Sequence, residues 1–313
     1  MNTLSDLFGD AQRALFEGLM QPLLFGLGLG NLLEDGFVAT GWLLVGLLQI
    51  AVMLTLFGAL ERWRPVEPLV DRAAVRVDML YTLIHRLNLF RVALFFTVEP
   101  LWTGLVGQLR MAGLPALSLD NAWPGVTDIA WVSFVLYLVL FDAVNYGLHR
   151  AQHHFGWWWQ LHALHHSQRQ MTLWSDNRNH LLDDVLIDSA VVVVALGVGI
   201  APAQFVAVVA VTQLLESLSH ANLRLDFGPV LGRVVVSPRF HREHHAIAEP
   251  QGAGLPAGHN YSVLFPVWDL LFGTAHFDGR YGPTGVPDQL QGRDYGRGFW
   301  AQQWLGLTRL VGR

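Results

Sequence analysis

The stretch IAWVSFVLYLVLFDAVNYGLHRAQHH, residues 129–154, joins two signals that seldom meet in one segment. Its first half is an unbroken apolar run to Phe141, and its end carries His149, His153 and His154. His149 and His153 stand four apart, so a helix turns both imidazoles toward one point. The segment is also long enough to cross a bilayer, which takes roughly 20 residues. A membrane helix that delivers imidazoles at its inner end predicts an all-α integral membrane protein with its chemistry at the membrane boundary.

Composition supports that reading. The 313 residues are 52% hydrophobic and 14% charged, with a mean hydropathy of +0.34, against about 25% charged for an ordinary globular domain. So few charges cannot cover the surface in water, and lipid must cover part of it. All 20 basic residues are arginine, and the net charge of −5 is spread without a basic block. Nucleic acid is therefore excluded as a partner. There is no cysteine, which rules out disulfides, thiolate metal sites and cysteine nucleophiles. Arginine-only, cysteine-free usage points to a GC-rich bacterial genome, hence an inner membrane. The first residues lack the positive start of a secretory signal.

Outward from 129–154, three other segments matter. Residues 37–60 are free of charge and end at Glu61-Arg62-Trp63-Arg64-Pro65, an interfacial cluster and a helix stop. This is the clearest span. Residues 79–109 read as a weaker one, interrupted by His85, Arg86, Arg91 and Glu99, which must face protein. Residues 189–215 are apolar but broken near Pro202. Residues 15–33, interrupted by Pro22 and glycines, read as a helix lying on the bilayer. The expected organisation is a single domain: an interfacial N-terminus over 1–36, transmembrane helices over 37–148, and a catalytic region over 149–313.

Arginine distribution orients the chain. Segments 61–78 and 149–188 and the C-terminal third hold most arginines and are placed in the cytoplasm; 1–36 and 110–128 hold one each. Segment 189–215 then cannot cross once, and it is too short to cross twice. It is expected to form a shallow re-entrant hairpin turning near Gly199, with Gly197 and Gly199 beside a tunnel for the substrate.

Eleven of the 14 histidines lie between His149 and His245. Besides His149 and His153, His162-Ala-Leu-His165-His166 and His241-Arg-Glu-His244-His245 share one spacing. Adjacent histidines differ by about 100° around a helix, so each doublet can serve two ions. His220 is a further candidate ligand. His180 is expected either to bind metal or to line a channel floor, and His154 to lie behind the ligands or at the surface. His85, His259 and His276 read as a helix polar face, a loop and a surface residue, and Glu243 as outward-facing. Asp142, two turns before His149, is expected either to accept a ligand's N–H or to be a helix-end charge.

These residues resemble the fatty acid hydroxylase and sterol desaturase superfamily of membrane di-iron enzymes. The resemblance rests on Asp142…Tyr146…His149-Arg150…His153, on Trp159…His162…His165-His166-Ser167, and on His220-Ala-Asn222. It continues in Phe240-His241…His244-His245, Asn260-Tyr261 and Trp268-Asp269…Gly273-Thr274. Trp158 stands where the family usually has Leu, and Ser262 where Gly is common. The resemblance implies two iron ions held by His149, His153, His162, His165, His166, His220, His241, His244 and His245. It further implies a lipid hydroxylase, or a desaturase with the same centre, using dioxygen. No residue beyond the metal centre is assigned a catalytic role. With no cytochrome-like stretch, dinucleotide fingerprint or cysteine set, electrons are expected from a separate reductase or reductant. A non-enzymatic metal carrier is disfavoured by the nearly bare spans.

Overall fold

The computed structural model describes residues 3–115, 117–247, 258–277 and 280–312. Among them the chain is helical throughout, with a single isolated bridge between Ala246 and Thr284 as its β pairing. Three helices are long and apolar enough to cross a membrane: Gly30–Trp63, Ala130–His154 and Pro202–His220. Only 22% to 33% of each apolar window is buried inside the protein, so lipid must cover the remainder.

The first span is longer than the charge-free run. It starts at Gly30 and holds a π-helical turn at Met53–Phe57. Residues 15–33 form part of a longer helical element. Helix Leu4–Leu15 continues through a π turn into Gln21–Gly26, and the whole element folds back on the span. Phe16, Met20 and Leu24 close on Gly36, and Gln12 Nε2 donates to the Phe37 carbonyl at 2.8 Å.

The weak span over 79–109 is a bent arrangement. Helices Arg72–Arg86 and Leu89–Thr97 meet at 51°, with Asn88 in the left-handed region at φ 61°, and Glu99–Met111 follows. The bend carries His85, Arg86, Arg91 and Glu99 inward to one cavity, as polar groups at this depth require. Here the first span approaches very closely. A Cβ on Gly46 would lie 1.7 Å from the Arg86 carbonyl oxygen, so only glycine fits this crossing.

The apolar stretch over 189–215 is the middle of a longer hairpin. Its arms are Leu181–Val198 (18 residues) and Pro202–His220 (19 residues). At 1.5 Å per residue each is about 27–29 Å long, close to the ~30 Å hydrocarbon thickness. The hairpin is therefore longer than its apolar middle. Counting charges shortened it, because Asp183, Asp184, Asp188 and Glu216 belong to the arms. Gly199, at φ 62°, makes the turn. The arms straddle the Ala130–His154 helix: Val191 and Val194 from one and Val208 and Val211 from the other pack on Tyr137, Leu138 and Phe141.

The three spans all end on the same side. There the short helices Gly156–His166 and Pro238–His244 sit beneath a C-terminal cap. Helix Phe299–Leu310 closes it, with Phe299 packed on Tyr81 and Leu164.

Candidate metal centre

Nine imidazoles meet where these helices end. His149, His153, His162 and His166 form one group whose ligand nitrogens lie within 4.8 Å of one another. His165, His220, His241 and His245 form a second such group. His166, His244 and His245 form a third that joins them, with the His166 and His245 rings stacked at 4.2 Å. The doublets explain the pairing. His165 and His166 leave one helix about 100° apart and enter different groups.

What aims each ring is its outer nitrogen. His149 Nδ1 donates to the Tyr261 carbonyl at 2.8 Å, His220 Nδ1 to the Glu216 carbonyl at 2.8 Å, and His244 Nδ1 to the His259 carbonyl at 2.7 Å. His162 Nδ1 donates to Asp183 at 3.2 Å. Each such bond leaves the Nε2 lone pair facing inward, which is the tutored ring of a metal ligand. The Nε2 atoms of His149, His153, His162, His166 and His244 are buried without a protein partner. In the second group Nε2 atoms face one another: His165 to His220 at 3.1 Å, His220 to His241 at 2.9 Å, and His241 to His245 at 3.2 Å. Four nitrogens at 2.0–2.1 Å from a tetrahedral ion would be about 3.3 Å apart. The donor set therefore fits two cations.

Imidazoles bind metal in the neutral form. Burial, then the neighbouring imidazoles, drives His165, His166, His241 and His245 well below the ordinary histidine pKa.

Residues 134–274 match the family model described as fatty acid hydroxylase. This segment, a little under half of the chain, is similar to the fatty acid hydroxylase family. Among curated relatives, an ornithine lipid hydroxylase of Rhizobium tropici is 28% identical over 83% of this chain and 74% of its own length. An alkylglycerol monooxygenase of Caenorhabditis elegans is 27% identical over 59% of this chain and 36% of its own. A very-long-chain aldehyde decarbonylase of Oryza sativa is 27% identical over 67% and 32%. The chain thus spans about a third of the length of these last two. No solved structure matches it.

The superfamily motif also supplies the frame around the histidines. Asp142 neither accepts from a ligand nor faces the interface. It is buried and takes the backbone N–H of Leu264 (2.8 Å) and Phe265 (3.1 Å) and Trp268 Nε1 (2.9 Å). Asp269 takes the N–H of Tyr261 and Ser262 at 2.9 and 2.8 Å. Asn260, at φ 58°, donates to the Phe240 and His276 carbonyls. Together they fix the Tyr261 carbonyl that aims His149. Asn222 binds the turn at Val66 and Glu67.

Several histidines stand apart. His180 caps helix Leu181–Val198 through Nδ1 and donates from Nε2 to the Gln303 carbonyl at 2.9 Å, so it meets neither metal group. His154 is exposed against Phe155. His85 is not on an open polar face; it lies 3.3 Å from Asp184. Glu243 is not simply outward: it pairs with His276 at 2.9 Å and groups with His259. A Cβ on Gly197 would meet nothing within 4 Å, and neither it nor Gly199 lines the cavity between the helices.

Sequence reading missed Asp183, Asp78 and Glu61. Asp183 takes bonds from His162, Gln152 and Trp158. Asp78 holds Arg178, which donates to Ser167 just after the second doublet. Glu61 takes the N–H of Leu173 and Asn222. Carboxylates beside apolar segments were the available signal.

Proposed function

We propose that this chain is an integral membrane di-iron enzyme that hydroxylates a C–H bond of a lipid with dioxygen. His149, His153, His162 and His166 hold one ion; His165, His220, His241 and His245 hold the other; His244 lies between. The observation that carries the reading is the pair of adjoining imidazole groups at the inner ends of apolar helices. The hydroxylase and monooxygenase names of the relatives support the reaction class. Imidazole alone does not select iron over zinc; similarity to the fatty acid hydroxylase family supports iron.

Bound iron supplies the reduction of dioxygen: R–H, O2, two electrons and two protons give R–OH and water. The chain's own residues do the positioning. The Tyr261, Glu216 and His259 carbonyls and Asp183 fix the tautomers of His149, His220, His244 and His162. Electrons come from a separate donor protein or soluble reductant. The centre faces the cytoplasm of a bacterial inner membrane.

A desaturase built on the same centre would remove two hydrogens instead. The test is metal-loaded protein in lipid nanodiscs with isotopically labelled dioxygen and a chemical reductant. A lipid that gains one labelled oxygen is the expected product. Loss of two hydrogens without label would make the chain a desaturase, and an unchanged lipid extract would contradict both.

A further inference from the structure

Three side chains that the proposed centre leaves unused gather beside the third histidine box. Glu243 leaves helix Pro238–His244 about 100° around from His244, and His259 and His276 come to it from two later segments. Their ligand atoms, one carboxylate oxygen and two ring nitrogens, all lie within 4.8 Å of one another, the limit that also encloses the groups of the centre. None of the three belongs to those groups.

The rings are set as ligands are. His259 Nε2 is buried without a hydrogen-bond partner, while the ring bonds to the Glu243 backbone, a bond that therefore falls to Nδ1. This repeats the pattern of His149 and His244, in which a carbonyl holds Nδ1 and Nε2 is left for an ion. His276 Nδ1 lies 2.9 Å from Glu243 Oε1, and its ring centre is 5.0 Å from that of His259. Two donors around a tetrahedral first-row ion would be about 3.3 Å apart. Asn260 holds the cluster together: its Nδ2 donates to the Phe240 and His276 carbonyls, and its Oδ1 accepts the His276 N–H at 2.6 Å. A simple ion pair between Glu243 and His276 would not use the His259 lone pair, and a buried polar atom left unsatisfied is costly.

The donor set names the class of ion. Two imidazoles and one carboxylate suit Fe2+, Co2+ or Zn2+, whereas Ca2+ and Mg2+ call for oxygen ligands. Three protein ligands leave a fourth place for water. The His276 side chain is 30% exposed, so solvent reaches this cluster. In the two four-histidine groups every ring but His153 is buried.

We propose that Glu243, His259 and His276 bind a third, exchangeable divalent transition ion, which ties the third box to the segments that follow it. Its consequence for the centre is positional. The His259 carbonyl accepts the Nδ1–H of His244 at 2.7 Å, so an ion on the His259 ring steadies the carbonyl that aims a ligand of the centre. The proposal depends neither on which metal the centre holds nor on the reaction it runs.

The test is equilibrium dialysis of the metal-loaded full chain in nanodiscs against radiolabelled Zn2+, with iron counted in the same samples. The native chain should take up about one Zn2+ beyond the metal of its centre, and lose it again in metal-free buffer while the iron stays. A large excess of Mg2+ should not displace it. Glu243→Gln, His259→Gln and His276→Gln should each weaken uptake at least about tenfold, and the exposed His154→Gln should leave it unchanged. Zn2+ should raise the melting temperature of the native chain and not that of Glu243→Gln, since an ion that binds only the folded state stabilises it. No uptake by the native chain would leave a plain ion pair and overturn the proposal without any variant, so a variant that fails to fold does not rescue it. Uptake matched by loss of iron, or uptake that survives in all three variants, would overturn it as well.

Discussion

Which nitrogen of each ring faces inward decides the chemistry at the residue scale, and that choice is made by the group behind the ring. Asp183 holds His162 and is itself held by Gln152 Nε2 (2.8 Å) and Trp158 Nε1 (2.6 Å). Asp183→Ala should cost on the order of 10–100-fold in metal affinity or activity, read by competition with a chelator. Asp142→Ala should act differently. It leaves the Leu264 and Phe265 N–H groups unpaired, at about 1–3 kcal/mol each, so the melting temperature should fall more than metal affinity does. If Asp142→Ala released metal as readily as Asp183→Ala, the division between the two would be wrong. Acid should also show the neutral rings. His165, His166, His241 and His245 stay uncharged in the fold, while the unfolded chain takes up protons near pH 6.5. Protonation of the unfolded state draws the equilibrium toward it. Metal-free protein should therefore melt at a constant temperature above about pH 7 and progressively lower beneath pH 6.5. The nine histidines were legible because their spacing is local. Asp183 was marked only as a carboxylate beside an apolar segment; nothing in the sequence connects it to a ring 21 positions away.

Among elements, helix crossings and the hairpin set the geometry. Gly46 permits the first span to touch the end of Arg72–Arg86, from which Arg86 reaches Asp176 and Ser217. Gly46→Val should cost about 1–3 kcal/mol or more through overpacking. Gly104→Val, where a Cβ meets open space, should be near neutral, and detergent-solubilised melting curves of the two make the comparison. Equal effects would mean that the close crossing is not a constraint. The Ala130–His154 span was readable in full, because one apolar period carries its histidines. The hairpin arms were cut short in the sequence, since Asp184, Asp188 and Glu216 face a cavity that only the assembled helices create. The bend at Asn88 carries no proline or glycine signal at all.

For the whole molecule, sidedness follows from where the elements end. The tip of the hairpin meets the 110–118 region, with Gly199 against the Leu117 carbonyl and Arg110 donating to the Leu196 carbonyl at 2.6 Å. The chain has no native cysteine, so single cysteines report cleanly. An impermeant thiol reagent should reach Arg169→Cys from the cytoplasmic side, and Ala122→Cys and Ala201→Cys from the opposite one. Protection of Ala201→Cys from both sides would instead leave the hairpin tip inside the bilayer. The central claim is two metal ions held by two imidazole groups, and metal content per chain tests it most directly. Elemental analysis of purified native protein should give about two ions, chiefly iron. His149→Ala and His241→Ala, one from each group, should each lower that number toward one. Two ions retained in both variants would contradict the account.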